Sequence, residues 1–171
     1  MTKDINIEFT RFSAFYSPLI LTMAGGFLRQ EGLKSEYTVS AHGTSAIASL
    51  IDGSVHVAQS APSQAFTSLE KRVTPPVTHF AQINEMDGFF LSGRTHDPDF
   101  SWSKLVGKKV LVDHGGQPLA MFKYACLKEG VNFSDIVAID NGSTEEMMDA
   151  FRKGEADYIH AQGPAPQQLA K

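Results

Sequence analysis

The feature that most constrains this chain is a repeated alternation. A short apolar run leads into a small polar or glycine-bearing turn, then into an amphipathic stretch that a glycine ends. Period-two strands followed by helices of period 3.6 build α/β folds, whose helices cover the faces of a largely parallel sheet. Ile5, Ile7 and Phe9 alternate with polar residues and predict a first strand. Ser17-Pro18 offers an N-cap and a proline at the first helical position. Leu19, Ile20, Met23 and Phe27 follow at helical spacing, with Gly32 as the stop. A second strand is expected near 37–40, then a helix with Ile47, Leu50 and Ile51 on one face, ended by Gly53. A third strand near 55–58, a helix opened by Ser60-Ala61-Pro62 and carrying Phe66 and Leu69, and a fourth strand over 77–83 complete a β-α-β-α-β-α-β half. That reading places His56 and His79 within strands.

The polar, glycine-ended stretch 84–88 marks the boundary between two lobes, 1–87 and 88–171. Phe89-Phe90-Leu91 opens a new strand, residues 94–103 form a surface loop, and residues 109–112 form a strand ending at Asp113-His114-Gly115-Gly116. A helix over 117–129 presents Leu119, Phe122 and Cys126 on one face and stops at Gly130. A strand at 136–139 leads to Ser143-Thr144-Glu145-Glu146, a capping box for a helix packed through Met147, Met148 and Phe151. A short strand follows over 157–160.

Composition narrows the function. Fifteen Lys+Arg against nineteen Asp+Glu leave a net charge of −4, with 6 positive and 8 negative groups in residues 1–88 and 9 and 11 in 89–171. With no basic half and no Lys/Arg run, nucleic acid is not an expected partner. A single cysteine makes no internal disulfide and no CxxC knuckle, and Cys126 on an apolar helix face predicts a buried, inert thiol. The six histidines show no metal-ligand spacing, so no metal is expected. No apolar run is long enough to span a membrane, and residues 1–6 hold no leader-like apolar region. The chain is therefore either cytoplasmic or written without its leader.

Small polar residues fall where strands hand over to helices: Ser13 to Ser17, Gly43-Thr44-Ser45, Ser60 to Ser63, and His114-Gly115-Gly116-Gln117. Helix starts present unpaired N–H groups and a partial positive charge, so several converging on one crevice would receive a polar or anionic small molecule. Each alone is equally a capped helix start. The signatures GxxxxGK[ST], GxGxxG and GxSxG are absent; Ile47 stands where the last would need glycine. Around the first loop, Phe12, Phe15 and Tyr16 flank Arg11, the one charged side chain close to these loops, and either stack on a planar ligand or close the core beneath the loop. Trp102 is expected to lie as a lid over the helix of the second lobe.

In order along the chain, Met23-Ala24-Gly25-Gly26-Phe27-Leu28 with Glu31-Gly32-Leu33, then the stretch from Ala48 through Asp52-Gly53 to Ala58, then Leu105-Val106-Gly107-Lys108-Lys109-Val110, then Ala150-Phe151-Arg152-Lys153-Gly154-Glu155-Ala156-Asp157 resemble a known family. It is that of the nitrate/sulfonate/taurine-type ABC transporter substrate-binding proteins, within the thiamine-pyrimidine synthase-like superfamily. Lys104 stands where that family usually carries Asp. The resemblance implies an α/β, type II periplasmic-binding-protein-like clamp of two lobes. It also implies that Ser13, Tyr16, Gly43, Thr44, Ser45, Ser60, Ala61, Asn84, His114, Gly115, Gly116, Gln117 and Gln162 face the cleft.

The function so implied is capture of a small organic or anionic molecule for an ABC transporter permease, outside the cytoplasm and without a cofactor. A planar, partly polar ligand resting against Tyr16 or Phe15 suits loops so poor in charge. An alternative within the superfamily is a pyridoxal-phosphate-dependent pyrimidine synthase, which would need a lysine that the first three loops lack and a cysteine-rich motif that is absent. A sensor domain is the other alternative. Family members continue past the equivalent of Lys171 to complete the first lobe. The expectation is therefore of a clamp truncated before that return, either a fragment or a chain completed by homo-oligomer formation or segment exchange.

Overall fold

A strand of alternating sequence is the centre of the first sheet. The computed structural model describes residues 2–41, 44–86, 88–113 and 116–170, apart from the side chain of Thr67. The chain divides into two units, 1–86 and 87–171. In unit 1, β1 (Lys3–Phe9) lies between β2 (Leu33–Val39) and β3 (Val57–Gln59), all parallel. The alternation places Ile7 and Phe9 in the interior, at 2% and 0% exposure. Burying Phe9 contributes about 3 kcal/mol by the usual transfer scale. The opposite face of β1 carries Asp4, Asn6 and Glu8, in register with Lys34, Glu36 and Thr38 of β2.

The helices of unit 1 are short. α1 (Ser17–Ala24) and α2 (Phe27–Gln30) replace the single helix expected to run to Gly32. The break is at Gly25-Gly26: Gly26 takes φ +76°, and a Cβ on Gly25 would sit 2.8 Å from the Leu21 carbonyl oxygen. Ser17 is not the cap. A 3-10 turn over Ala14–Tyr16, capped by Ser13, runs straight into α1, so Ser17 is already helical and Tyr16 holds the cap position. α3 (Ala46–Ile51) follows β2, and α4 (Phe66–Glu70) continues a 3-10 turn at Pro62–Ala65.

One strand expectation fails here, and another strand begins earlier than expected. Residues 77–83 form no strand, because alternation makes a strand only where a neighbouring edge supplies a ladder, and this segment pairs with none. His79 accordingly lies in exposed coil. His56 precedes β3 and is structural by another route: its backbone N–H donates to Asn6 O, and its Nδ1 accepts from Asn6 N, both at 3.0 Å. β2 begins at Leu33 rather than near 37, because the left-handed Gly32 ends the helical stretch and delivers the chain directly to the edge of β1.

Unit 2 holds a four-stranded sheet of order β4 (Phe89–Gly93), β7 (Tyr158–Gln162), β5 (Lys109–Leu111), β6 (Val137–Ile139), parallel except for β4. Both faces are covered, as a mainly parallel sheet requires. Leu111, Ile159 and Ala161 pack beneath α6 (Thr144–Arg152) and α7 (Ala165–Leu169) with Met147, Met148 and Phe151. Val110 and Val112 pack on the other face with Phe122 and Cys126 of α5 (Gly116–Lys128). Trp102 lies over that face, 6.1 Å from the Phe122 ring, as a lid on α5. Cys126 is buried, and burial pushes its thiol pKa up.

The expected capping box is present: Glu146 N–H donates to Ser143 Oγ at 3.3 Å, and Ser143 N–H donates to the Glu146 carboxylate at 2.7 Å. Gly142 before it is obligatory in kind, with φ +83° and a would-be Cβ 2.4 Å from that carboxylate. Arg94 clasps the end of α6, donating to the carbonyls of Phe151 and Ala156 with its guanidinium 4.8 Å above the Phe151 ring. α7 had no counterpart in the sequence reading.

Candidate functional site

Because β1, β2 and β3 are parallel and in register at Phe9, Val39 and Gln59, their carboxyl ends emerge side by side. Thr10, Ser40 and Ser60, each the next residue, stand on one edge of the sheet. In parallel α/β sheets this is the edge where ligands bind, since the loops leaving it are free to vary.

Two polar links fix that edge. Gln59, 8% exposed, accepts at its amide oxygen from both the Thr10 backbone N–H (3.3 Å) and the Thr10 hydroxyl (2.9 Å). On the other flank, Ser40 N–H donates to Phe9 O at 2.8 Å, and the Ser40 hydroxyl donates to the Glu8 carboxylate, which is 6% exposed. The central strand is thus tied on both sides just beneath the loops. Sequence reasoning missed Glu8, Thr10, Ser40 and Gln59. A polar residue in an alternating strand reads as a solvent face until the register is known.

The described site residues expected in unit 1, Asn84 apart, stand in the segments that leave this edge. Ser13 Oγ accepts from Phe15 N–H at 3.2 Å, and Ser45 Oγ accepts from Ile47 N–H at 3.3 Å. Thr44 donates to Ala41 O at 2.6 Å. Asn84 donates its amide to Phe15 O at 2.7 Å, which ties the last segment of the unit to the first loop. Ser60 and Ala61 are half-buried after β3. The hydroxyls of Ser13 and Ser45 therefore use an acceptor lone pair on the backbone and keep O–H to donate. Tyr16 is half-buried against Phe9 and Phe15. Phe12 does not close the core, which Phe9 does; it is 52% exposed and stacks on Tyr37 at 5.1 Å.

In unit 2, Gly116 (φ +64°) and Gln117 begin α5 after β5, and Gln162 ends β7 at 6% exposure, so all three stand at carboxyl ends of parallel strands. His160, two residues earlier, is sandwiched between Phe89 and Phe122 at 5.1 and 4.8 Å. Gly43, His114 and Gly115 lie outside the described residues.

Within unit 2 a concavity of about 450 Å³ opens at the opposite, amino end of β5 and β7, between Arg94, Lys108 and Asp157. A second, of about 440 Å³, lies in unit 1 between α1, α2 and β2, bounded by Phe9, Phe12 and Tyr37. Neither is lined by Ser13, Thr44, Ser45 or Ser60. Among the described residues no group of three metal-ligating side chains occurs, and no helix is long and apolar enough to cross a membrane. The described lysines of unit 1 lie away from the carboxyl edge: Lys3 and Lys34 start β1 and β2, and Lys71 follows α4. The residues present there do not fit a pyridoxal aldimine.

The Bacillus subtilis (strain 168) protein named "Putative binding protein YtlA" is 29% identical over 161 residues, which is 93% of this chain and 48% of that protein. Among solved structures, the periplasmic aliphatic sulphonate binding protein SsuA from Escherichia coli is similar with a TM-score of 0.69 at 14% identity, over 99% of this chain and 57% of that one. The alkanesulfonate-binding protein SsuA from Xanthomonas axonopodis pv. citri, bound to MOPS, gives 0.63 at 15%, over 99% and 58%. The chain thus spans about half the length of the relatives it matches. At these identities the structures show the fold, the α/β fold of two-lobed periplasmic binding proteins. The family model described as NMT1/THI5 like matches residues 14–164, so the chain belongs to the NMT1/THI5-like family.

Proposed function

We propose that this chain captures a small organic or anionic solute for an ABC transporter and releases it unchanged, outside the cytoplasm. The observation that carries the reading is the common register of β1, β2 and β3, from whose carboxyl ends the segments of Ser13, Tyr16, Thr44, Ser45, Ser60 and Ala61 leave, with Asn84 tied to the first of them through Phe15 O. The described residues of those loops offer hydroxyl and amide groups to a polar guest. The carboxyl ends of β5 and β7, with Gly116, Gln117 and Gln162, are the second set of contacts in this proposal, together with Gly43, His114 and Gly115. The name of the Bacillus subtilis relative supports binding over catalysis. Aliphatic sulfonates head the ligand series because two structural relatives are named for them.

The test is a thermal-shift and calorimetric screen of the full chain against taurine, ethanesulfonate, MOPS, nitrate, benzoate and aminopyrimidines. A ligand at a hundredfold its Kd adds about 2.7 kcal/mol to stability. Ser60→Ala should weaken whatever binds with little effect on the ligand-free melting point, while Ser45→Ala, which also removes the α3 cap, should weaken binding and lower the ligand-free stability by about 1 kcal/mol. Absence of any stabilising compound, or binding that both substitutions leave untouched, would refute the proposal.

A further inference from the structure

Among the described residues, Glu8 is the only ionisable side chain that unit 1 buries. It is the penultimate residue of the central strand, flanked in register by Thr38 and Ala58. Among the described residues its carboxylate receives one hydrogen bond, from the neutral Ser40 hydroxyl. Among the described residues the ion pairs, such as Lys34–Glu36 and Lys104–Asp97, do not involve it. A carboxylate taken out of water with one neutral donor and no counter-charge is held at a cost in folding free energy. Buried charges are normally paired, so a partner that arrives later can supply the missing charge.

Glu8 also sits where its charge matters, directly beneath Ser40 on the edge from which the solute loops leave. A bare anion meeting that edge would be repelled by Glu8 at close range. A guest with a cationic nitrogen would instead give the carboxylate the charge-assisted bond it lacks. We infer that Glu8 selects the ligand: the solute carries an ammonium or other protonated nitrogen that pairs with the Glu8 carboxylate. This rests on the solute-binding reading above and narrows it to cationic or zwitterionic molecules, with aminosulfonates and amino acids as the first probes.

The experiment uses the full chain and Glu8→Gln, which keeps the shape and an acceptor for Ser40 while removing the charge. The ligand-free variant should melt at a higher temperature than the parent, since an uncompensated charge is gone. A lower melting point would mean that Glu8 serves the fold, and would overturn the inference. Matched pairs differing in the amino group, taurine against ethanesulfonate and β-alanine against propionate, extended by a library of primary amines and their deamino analogues, then read selectivity. The amine should bind the parent at least tenfold more tightly than its analogue, and Glu8→Gln should abolish that ratio. Equal binding of both members overturns the role of Glu8 and leaves solute binding intact. Binding by no member of either series overturns both.

Discussion

Replacing Gln59 by Leu and Thr10 by Val, singly and together, measures how firmly the carboxyl edge of the first sheet is bolted. Thr10→Val removes the hydroxyl that donates to the Gln59 amide oxygen at 2.9 Å and keeps the backbone N–H bond at 3.3 Å. One such neutral bond is worth about 1 kcal/mol net. Gln59→Leu removes the shared acceptor, so it loses both bonds and leaves two donors at a partly buried position, a cost of about 2–3 kcal/mol. Once Leu is present the Thr10 hydroxyl has nothing left to lose, so the double variant should cost about 2–3 kcal/mol, as Gln59→Leu alone, rather than the sum of about 3–4 kcal/mol. The coupling of about 1 kcal/mol would be read from urea midpoints at constant m-value, with amide exchange over 3–9 and 57–59 locating the loss. Additivity within about 0.3 kcal/mol would show that the two side chains do not act as one unit, and the argument for a preset edge would fall.

Ser143→Ala should destabilise α6 by about 1 kcal/mol, seen as a lower thermal midpoint, because both halves of its capping box are made. The hydrogen bond from Lys104 holds the Asp97 carboxyl below the usual carboxylate range. Its contribution to stability is therefore present above the ordinary Asp pKa and lost as the pH falls through the depressed one. Lys104→Met should return the Asp97 titration, followed by NMR, to the ordinary range; an unmoved midpoint would contradict the pairing. Cys126, its pKa raised by burial, should react with a disulfide reagent at mildly alkaline pH only at the rate of unfolding, and fast labelling of the folded chain would show the thiol to be accessible.

How much the sequence disclosed depends on how local each cause is. The capping box, the Trp102 lid and the buried Cys126 depend on contacts within or next to one helix, and residue spacing reveals them. The broken first helix was hidden because Gly25-Gly26 interrupts an otherwise continuous apolar stripe from Leu19 to Phe27, and the stripe was the stronger signal. The 77–83 segment has the right alternation, but a strand is completed by its neighbour, which no window on the chain contains. Glu8 and Gln59 show the same difficulty at the candidate site. The hydroxyls of the loops could be named from their places between strands and helices, whereas the two side chains that hold the edge emerged only when β1 was set against β2 and β3.

The uneven filling of the two units has a dynamic consequence. Unit 2 encloses two hydrophobic clusters, whereas the interior of unit 1 is little more than Ile7, Phe9, Ala46, Val55 and Ala65. The hydroxyls offered to a solute belong to the thinner unit, where opening free energies are lowest. A guest that settles on its carboxyl edge would therefore act as a temporary piece of interior, and occupancy should register first as slowed breathing of β1 rather than as any change in the other sheet.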